Sequence, residues 1–335
     1  MITPSPAPLQ PEDWQKQLAQ SISDPAELIE SLGLPHTLIE PARQAGRTFP
    51  LRVTRHYLGL IQHADPYDPL LRQVLPLNEE LQVVPGFGSD PVGDHAAALG
   101  SGVLHKYQGR ALLITTGACA IHCRYCFRRH YPYAQDNAIR HWQEMLQTLQ
   151  QQTQINEVIL SGGDPLSLSD SRLSQLIEEL ENIPHLQRLR IHTRLPIVLP
   201  TRITTALITT LANTRLQSSM VLHTNHPREL AEPLRNPLQK LRAAQVTLLN
   251  QAVLLAGVND ELPVQAALSE RLFAFGILPY YLHLLDPVAG AAHFAVPDPV
   301  VRNIETGLLA TLPGYLVPRL VREIPGATSK TPFTS

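Results

Sequence analysis

The chain has 335 residues, a formal net charge of −2, 44% hydrophobic residues and 17% charged residues. That balance suits a globular protein built as one large α/β unit with an appendage. It excludes the basic face that a nucleic-acid platform or a membrane-surface protein needs, and no apolar run approaches the roughly 20 residues of a membrane span.

The opening residues, Met1-Ile-Thr-Pro-Ser-Pro-Ala-Pro8, are Pro-rich and predict disorder over 1–10. They carry neither the basic nor the apolar segment of a signal peptide, so reduced thiols and a cytoplasmic location are expected. A helix is expected over 12–22. A second should start at Asp24-Pro25, a cap residue followed by proline at the first helical position. Phe49-Pro-Leu-Arg-Val-Thr54 and Asp68-Pro-Leu-Leu-Arg72 read as short elements, and the Pro/Gly/Asp-rich stretch 84–105 reads as a long connection. Residues 1–105 therefore form a mostly helical N-terminal region that by itself points to no function.

The pattern changes near residue 110. β-favouring apolar runs at 111–116, 157–161, 189–193, 220–224, 246–249 and 279–285 alternate with helical patterns at 137–151, 169–182, 201–212, 228–243, 263–275 and 298–311. A last extended run covers 315–324. Asp170 and Asp298 stand near two helix starts, where backbone N–H groups want an acceptor. Alternation of this kind predicts a parallel sheet. Six βα units are too few for a closed eight-stranded barrel, so 106–335 should form an open, partial (βα)6 TIM-like barrel.

All three cysteines of the chain lie in one loop, Cys119-Ala-Ile-His-Cys123-Arg-Tyr-Cys126, directly after the first of these strands. Thiolates at C-x3-C-x2-C spacing can hold three corners of a cubane iron–sulfur cluster and leave one iron open. Two plainer readings are a zinc site completed by His122 or His130 and an electron-transfer cluster. Zinc sites commonly pair two ligand hairpins, and an electron carrier wants a fourth cysteine. A disulfide framework does not fit an odd count at short spacing.

Other distinctive residues also follow strands, where parallel βα folds carry their chemistry. Ser161-Gly162-Gly163-Asp164 follows the second strand. His223 and Gln251 stand near the ends of the fourth and fifth, and Asp286 ends the sixth. Glu323 and Lys330 follow the last run. All should therefore face one mouth. The glycine pair alone would pass for an ordinary turn. Lysine is scarce: Lys16, Lys106, Lys240 and Lys330 are the only four.

The run Cys123-Arg-Tyr-Cys-Phe-Arg-Arg129 resembles the lysine 2,3-aminomutase branch of the radical S-adenosylmethionine (SAM) superfamily. Phe49-Pro-Leu-Arg-Val-Thr54, Asn225-His-Pro227 and Gly326-Ala-Thr-Ser-Lys-Thr-Pro332 extend the resemblance to most of the chain. It implies a [4Fe–4S] cluster on Cys119, Cys123 and Cys126, with SAM held by Ser161, Gly162, Gly163, Asp164, His223 and Gln251. It implies pyridoxal 5′-phosphate (PLP) on Lys330, with Arg110 and Lys106 on the phosphate. Arg128 would grip the substrate carboxylate, and Asp286 and Glu323 the far ammonium of L-lysine. Two departures stand out: Gly-Ala-Thr-Ser replaces a glycine run before Lys330, and Glu323 replaces an aspartate.

The resemblance is to a compact form of the family. It implies an isomerase that supplies β-lysine for modification of elongation factor P, working beside a β-lysine ligase and an electron donor such as flavodoxin, with no nucleic-acid or membrane partner. A PLP-dependent radical aminomutase acting on another amino acid or on protein-attached lysine stays open, as does, more distantly, a non-catalytic iron–sulfur or zinc protein.

Overall fold

A computed structural model describes residues 14–134 and 137–333. The disorder expected over 1–10 falls outside the described residues. One sheet organises the molecule. Its strands run in sequence order: β1 (Ala98–Gly100), β2 (Val103–Tyr107), β3 (Arg110–Thr116), β4 (Glu157–Gly162), β5 (Arg188–Thr193), β6 (Gln217–His223), β7 (Thr247–Val253), β8 (Leu278–His283), β9 (Arg319–Arg322) and β10 (Thr331–Pro332). From β3 to β9 every neighbour is parallel. The crossovers carry the six expected helices, so the open (βα)6 reading holds.

The sequence explains the layers. β4 reads Glu-Val-Ile-Leu-Ser-Gly with its first five residues buried, as a strand covered on both faces must be. The helix Asp170–Glu181 buries Leu173, Leu176, Ile177 and Leu180, a 3.6-residue stripe turned to the sheet. The N-terminal helices join the same core, which runs from Trp14 and Leu28 to Leu282 and Leu320.

Several boundaries differ from expectation. The first crossover helix starts at Trp142, and those expected from 201 and 228 start at Thr205 and Arg235. Short 3-10 turns at Pro200–Arg202, Pro227–Glu229 and Glu232–Leu234 occupy the difference. β7 extends to Val253, so Gln251 lies within the strand and pairs with His223. Asp170 and Asp298 cap nothing. Ser169 caps its helix through Arg172 N–H, Asp170 pairs with Arg202 at 2.8 Å, and Asp298 pairs with Arg322 at 2.6 Å. The first helix, Trp14–Ala19, ends early, and Ile22 instead bridges Val53.

Strands β1, β2 and β10 carry no recognisable signal. The β1–β2 turn is Ser101-Gly102, both with positive φ (55° and 74°). Such a turn is usually written Asn-Gly, and the serine hides it. β10 pairs antiparallel with β9, Thr331 opposite Arg322. Lys330 is thus anchored by the sheet and does not sit on a loose tail. Among the described residues no helix is long and apolar enough to cross a membrane.

Candidate functional site

The C-terminal ends of the parallel strands open into a cavity of about 440 Å³. Every candidate residue lines it: the three cysteines, Lys106, Arg110, Arg128, Ser161, Gly162, Gly163, Asp164, His223, Gln251, Asp286, Glu323 and Lys330. The residues expected at one mouth thus share one cavity.

The cysteine loop is held from below by buried charge. Glu80 accepts from Arg124 Nε and Nη2 (2.8 and 2.6 Å) and from Arg129 Nη2 (2.7 Å). Burial raises the thiols of Cys119 and Cys126, the latter to about 11, with neighbouring thiols adding to both. Metal binding at these sulfurs must therefore displace protons. Among the described residues no three histidine, cysteine or carboxylate side chains converge closely enough to share one ion. A zinc site needs that convergence. A cubane does not, because each thiolate takes a different iron.

The glycine pair serves the same loop. A Cβ on Gly163 would meet Ala118 O at 2.4 Å, and one on Gly162 would meet Thr116 O at 2.7 Å. Gly163 N–H donates to Thr116 O and Asp164 N–H to Ala118 O. The Asp164 carboxylate accepts from Thr193 Oγ1 (2.7 Å) and from the N–H groups of Leu166, Arg194 and Leu195. It ties the loop after β4 to the loop after β5, which leaves backbone and not carboxylate as what this turn offers a ligand.

On the far side, Lys330 Nζ lies 2.8 Å from Glu323 Oε2, and Tyr107 OH donates to the other oxygen. Lys106 stands 3.8 Å from Glu323 and 2.7 Å from Asp94. The two acids assigned together thus differ. Lys330, together with Tyr107 and Lys106, holds Glu323 below the usual carboxylate range despite its burial. Asp286 has no side-chain hydrogen bond among the described residues, and burial lifts it to about 7. The two cations assigned to a phosphate also differ. Arg110 has no carboxylate partner among the described residues and stacks over Tyr107, whereas Lys106 is already paired. Arg128, between these groups and the cysteines, donates to Asp94 Oδ2 (2.7 Å) and Ser161 Oγ (3.2 Å).

Three imidazoles complete the wall. Burial pushes His223 down to about 3 and His192 and His283 well below the usual range, so all three are neutral. Each has a buried Nε2 with no hydrogen-bond partner among the described residues. Orphaned polar atoms beside unpaired Arg110 and Asp286 are what a cavity shaped for polar ligands leaves behind.

A family model described as the Radical SAM superfamily matches residues 113–265. An L-lysine 2,3-aminomutase of Escherichia coli (strain K12) is 48% identical over 324 residues, covering 96% of this chain and 94% of that one. One from Haemophilus influenzae is 48% identical over 96% of this chain and 95% of its own. One from Clostridium subterminale is 34% identical over 96% of this chain and 77% of its own. The chain belongs to the lysine 2,3-aminomutase family. As a radical SAM enzyme of that family it is an isomerase, and its cofactors are a [4Fe–4S] cluster, SAM and PLP. The residues described above fit them: three thiolates on one loop, neutral orphaned imidazoles in the middle, a lysine and an unpaired arginine opposite.

Sequence reasoning missed several residues of this aminomutase cavity. Arg194 and His192 lie at the C-terminal end of β5, and His283 ends β8. The strand-end rule that found the others could have found these. Tyr107 lies just past the stretch read as a connection, and Asp94 and Glu80, which support the cavity through Arg128 and the cysteine loop, stand in and before it; no local pattern marks any of the three.

Proposed function

We infer that the chain converts L-lysine to β-lysine by moving the amino group from C2 to C3. The observation that carries this reading is one cavity with the three cysteines on one wall and Lys330, Asp286 and Glu323 on the other. When bound, the cluster and SAM supply a carbon radical that takes a hydrogen atom, and PLP holds the migrating amino group.

The chain's residues divide the remaining work. Cys119, Cys123 and Cys126 hold the cluster, and Ser161, Gly162, Gly163, Asp164, His223 and Gln251 surround SAM. Lys330 carries PLP, and Glu323 Oε2 holds its Nζ in place at 2.8 Å. Arg110, with Lys106 beside it, takes the phosphate. Arg128, held by Asp94 at Nε and by Ser161 at Nη1, offers its Nη2 to the substrate carboxylate. Asp286 faces the distal ammonium. Charges at both ends of the substrate fix the distance between its C3 and the radical source, and closeness of that kind is the main contribution a protein makes to such a step. The product serves modification of elongation factor P in the cytoplasm, with an electron donor such as flavodoxin.

The test is anaerobic incubation with lysine, SAM and a reductant, followed by chiral product analysis. β-Lysine is expected, and Lys330→Ala should lose both product and the PLP absorbance band. A protein with intact cluster and PLP bands that leaves lysine unchanged would remove lysine as the substrate. Elongation factor P from cells lacking the protein should lose the mass of a β-lysyl group.

A further inference from the structure

Arg194 is a buried cation at the cavity wall that the mechanism above leaves unused. Arg194 directly follows β5 and is 5% exposed. Its Nη1 donates to Cys123 Sγ at 2.9 Å and also contacts Tyr125 OH. Its Nη2 donates to Glu229 Oε2 (2.7 Å) and Gln73 Oε1 (2.8 Å). Glu229 is itself fixed. It is fully buried and accepts from the N–H groups of Asn225 and His226 (both 3.0 Å) and from Gln73 Nε2 (3.2 Å). The Arg194 backbone N–H is held by Asp164 at 2.8 Å. A guanidinium tethered at its backbone and at one nitrogen has its other nitrogen pointed at a single cysteine sulfur. Cys126 meets the Arg128 backbone N–H, but among the described residues no arginine side chain makes a hydrogen bond to Cys119 or Cys126, so Cys123 is the corner that receives a side-chain cation.

We propose that Arg194 is a positioning residue that sets the reduction potential of the cluster through Cys123, with Glu229 as the counter-charge that holds it there. The inference rests on the reading of the three cysteines as cluster ligands. A positive donor on a ligand sulfur lowers the negative charge an incoming electron meets, and hydrogen bonds to sulfur and net charge are established controls of iron–sulfur potentials. Glu229 partly cancels that field. Weakening the donor and weakening its counter-charge should therefore move the potential in opposite directions.

The experiment is a redox titration of the reconstituted holoprotein without SAM, followed by electron paramagnetic resonance, for wild type, Arg194→Lys and Glu229→Gln. Iron and sulfide contents and thermal midpoints are measured on the same samples. A lysine keeps the charge but cannot span Glu229 and Cys123 together, so Arg194→Lys should shift the potential negative. Glu229→Gln leaves the guanidinium uncancelled and should shift it positive. Loaded variants that keep the wild-type potential, or that both move the same way, overturn the proposal. So does a variant of wild-type thermal stability that binds no cluster, since Arg194 would then govern assembly. If Arg194→Lys does not fold, the sign of the Glu229→Gln shift decides alone. A wild-type protein that takes up no iron instead refutes the cluster reading.

Discussion

Asp286 shows how one half-buried group can couple substrate charge to pH. Its carboxyl is raised from an ordinary 3.8 to about 7, first by burial and then by Glu323 and Asp94, while Lys330 and Lys106 oppose the rise. Below about pH 7 the ligand-free protein therefore favours the protonated form. Its contribution to stability is present below about 4 and is lost as pH rises through about 7. Substrate binding runs the other way, because an ammonium stays charged across this range and prefers the ionised carboxylate. Lysine affinity should rise from pH 6 to pH 8 and then level off. Asp286→Asn should weaken lysine binding by about ten- to a hundredfold, the scale of a charge-assisted hydrogen bond of about 1.5–3 kcal/mol, and should flatten the pH profile. Calorimetric titration with lysine at several pH values measures both. An unchanged profile in the variant would move the pH response to another group.

At the scale of elements, strands and their ends were legible and their supports were not. β3, β4 and β6 declare themselves through apolar runs such as Val158-Ile-Leu160 and β5 through alternation, and the strand-end rule gathered Cys119 and Lys330 although they lie 211 positions apart. β1 and β2 escaped because the turn signal is a serine and the strands are short. Asp94 escaped because its role depends on Arg128 and Lys106, distant in sequence. The glycine pair was legible as important, but its physical reason lies in the loop packed above it, which no local pattern reveals. That reason gives a prediction. Gly163→Ala forces a methyl to 2.4 Å from Ala118 O, so the cysteine loop must move. The cost should be about 1–3 kcal/mol, as for other overpacked sites, read as a lowered denaturant midpoint together with reduced iron uptake. Gly314→Ala is the control. A Cβ there meets nothing within 4 Å, and both readouts should stay at wild type.

At the scale of the molecule, the N-terminal region explains why the barrel can stay open. The sheet's two edges are not bonded to each other, yet Tyr107 on β2 donates to Glu323 beyond β9, so side chains cross the gap beside Lys330. The region before β1 closes the structure from below by gripping the cysteine loop. Glu80 is the grip. Its carboxylate is wholly buried between Arg124, itself 0% exposed, and Arg129, 1% exposed, and it also accepts from Leu77 N–H. Removing one partner of such a group leaves two buried guanidiniums facing a neutral amide, and breaking buried pairs this way costs about 3–5 kcal/mol. Glu80→Gln preserves shape and should still lower the thermal midpoint strongly. Because Arg124 and Arg129 flank Cys126, the same change should loosen the loop and let iron escape faster to a chelator than in wild type. Iron loss without thermal destabilisation would show that the region shields the cluster without supporting the loop. Destabilisation with wild-type iron retention would show that the loop is held by the β4 glycines alone. Only both effects together make Glu80 the link between the N-terminal region and the radical-generating wall of the cavity.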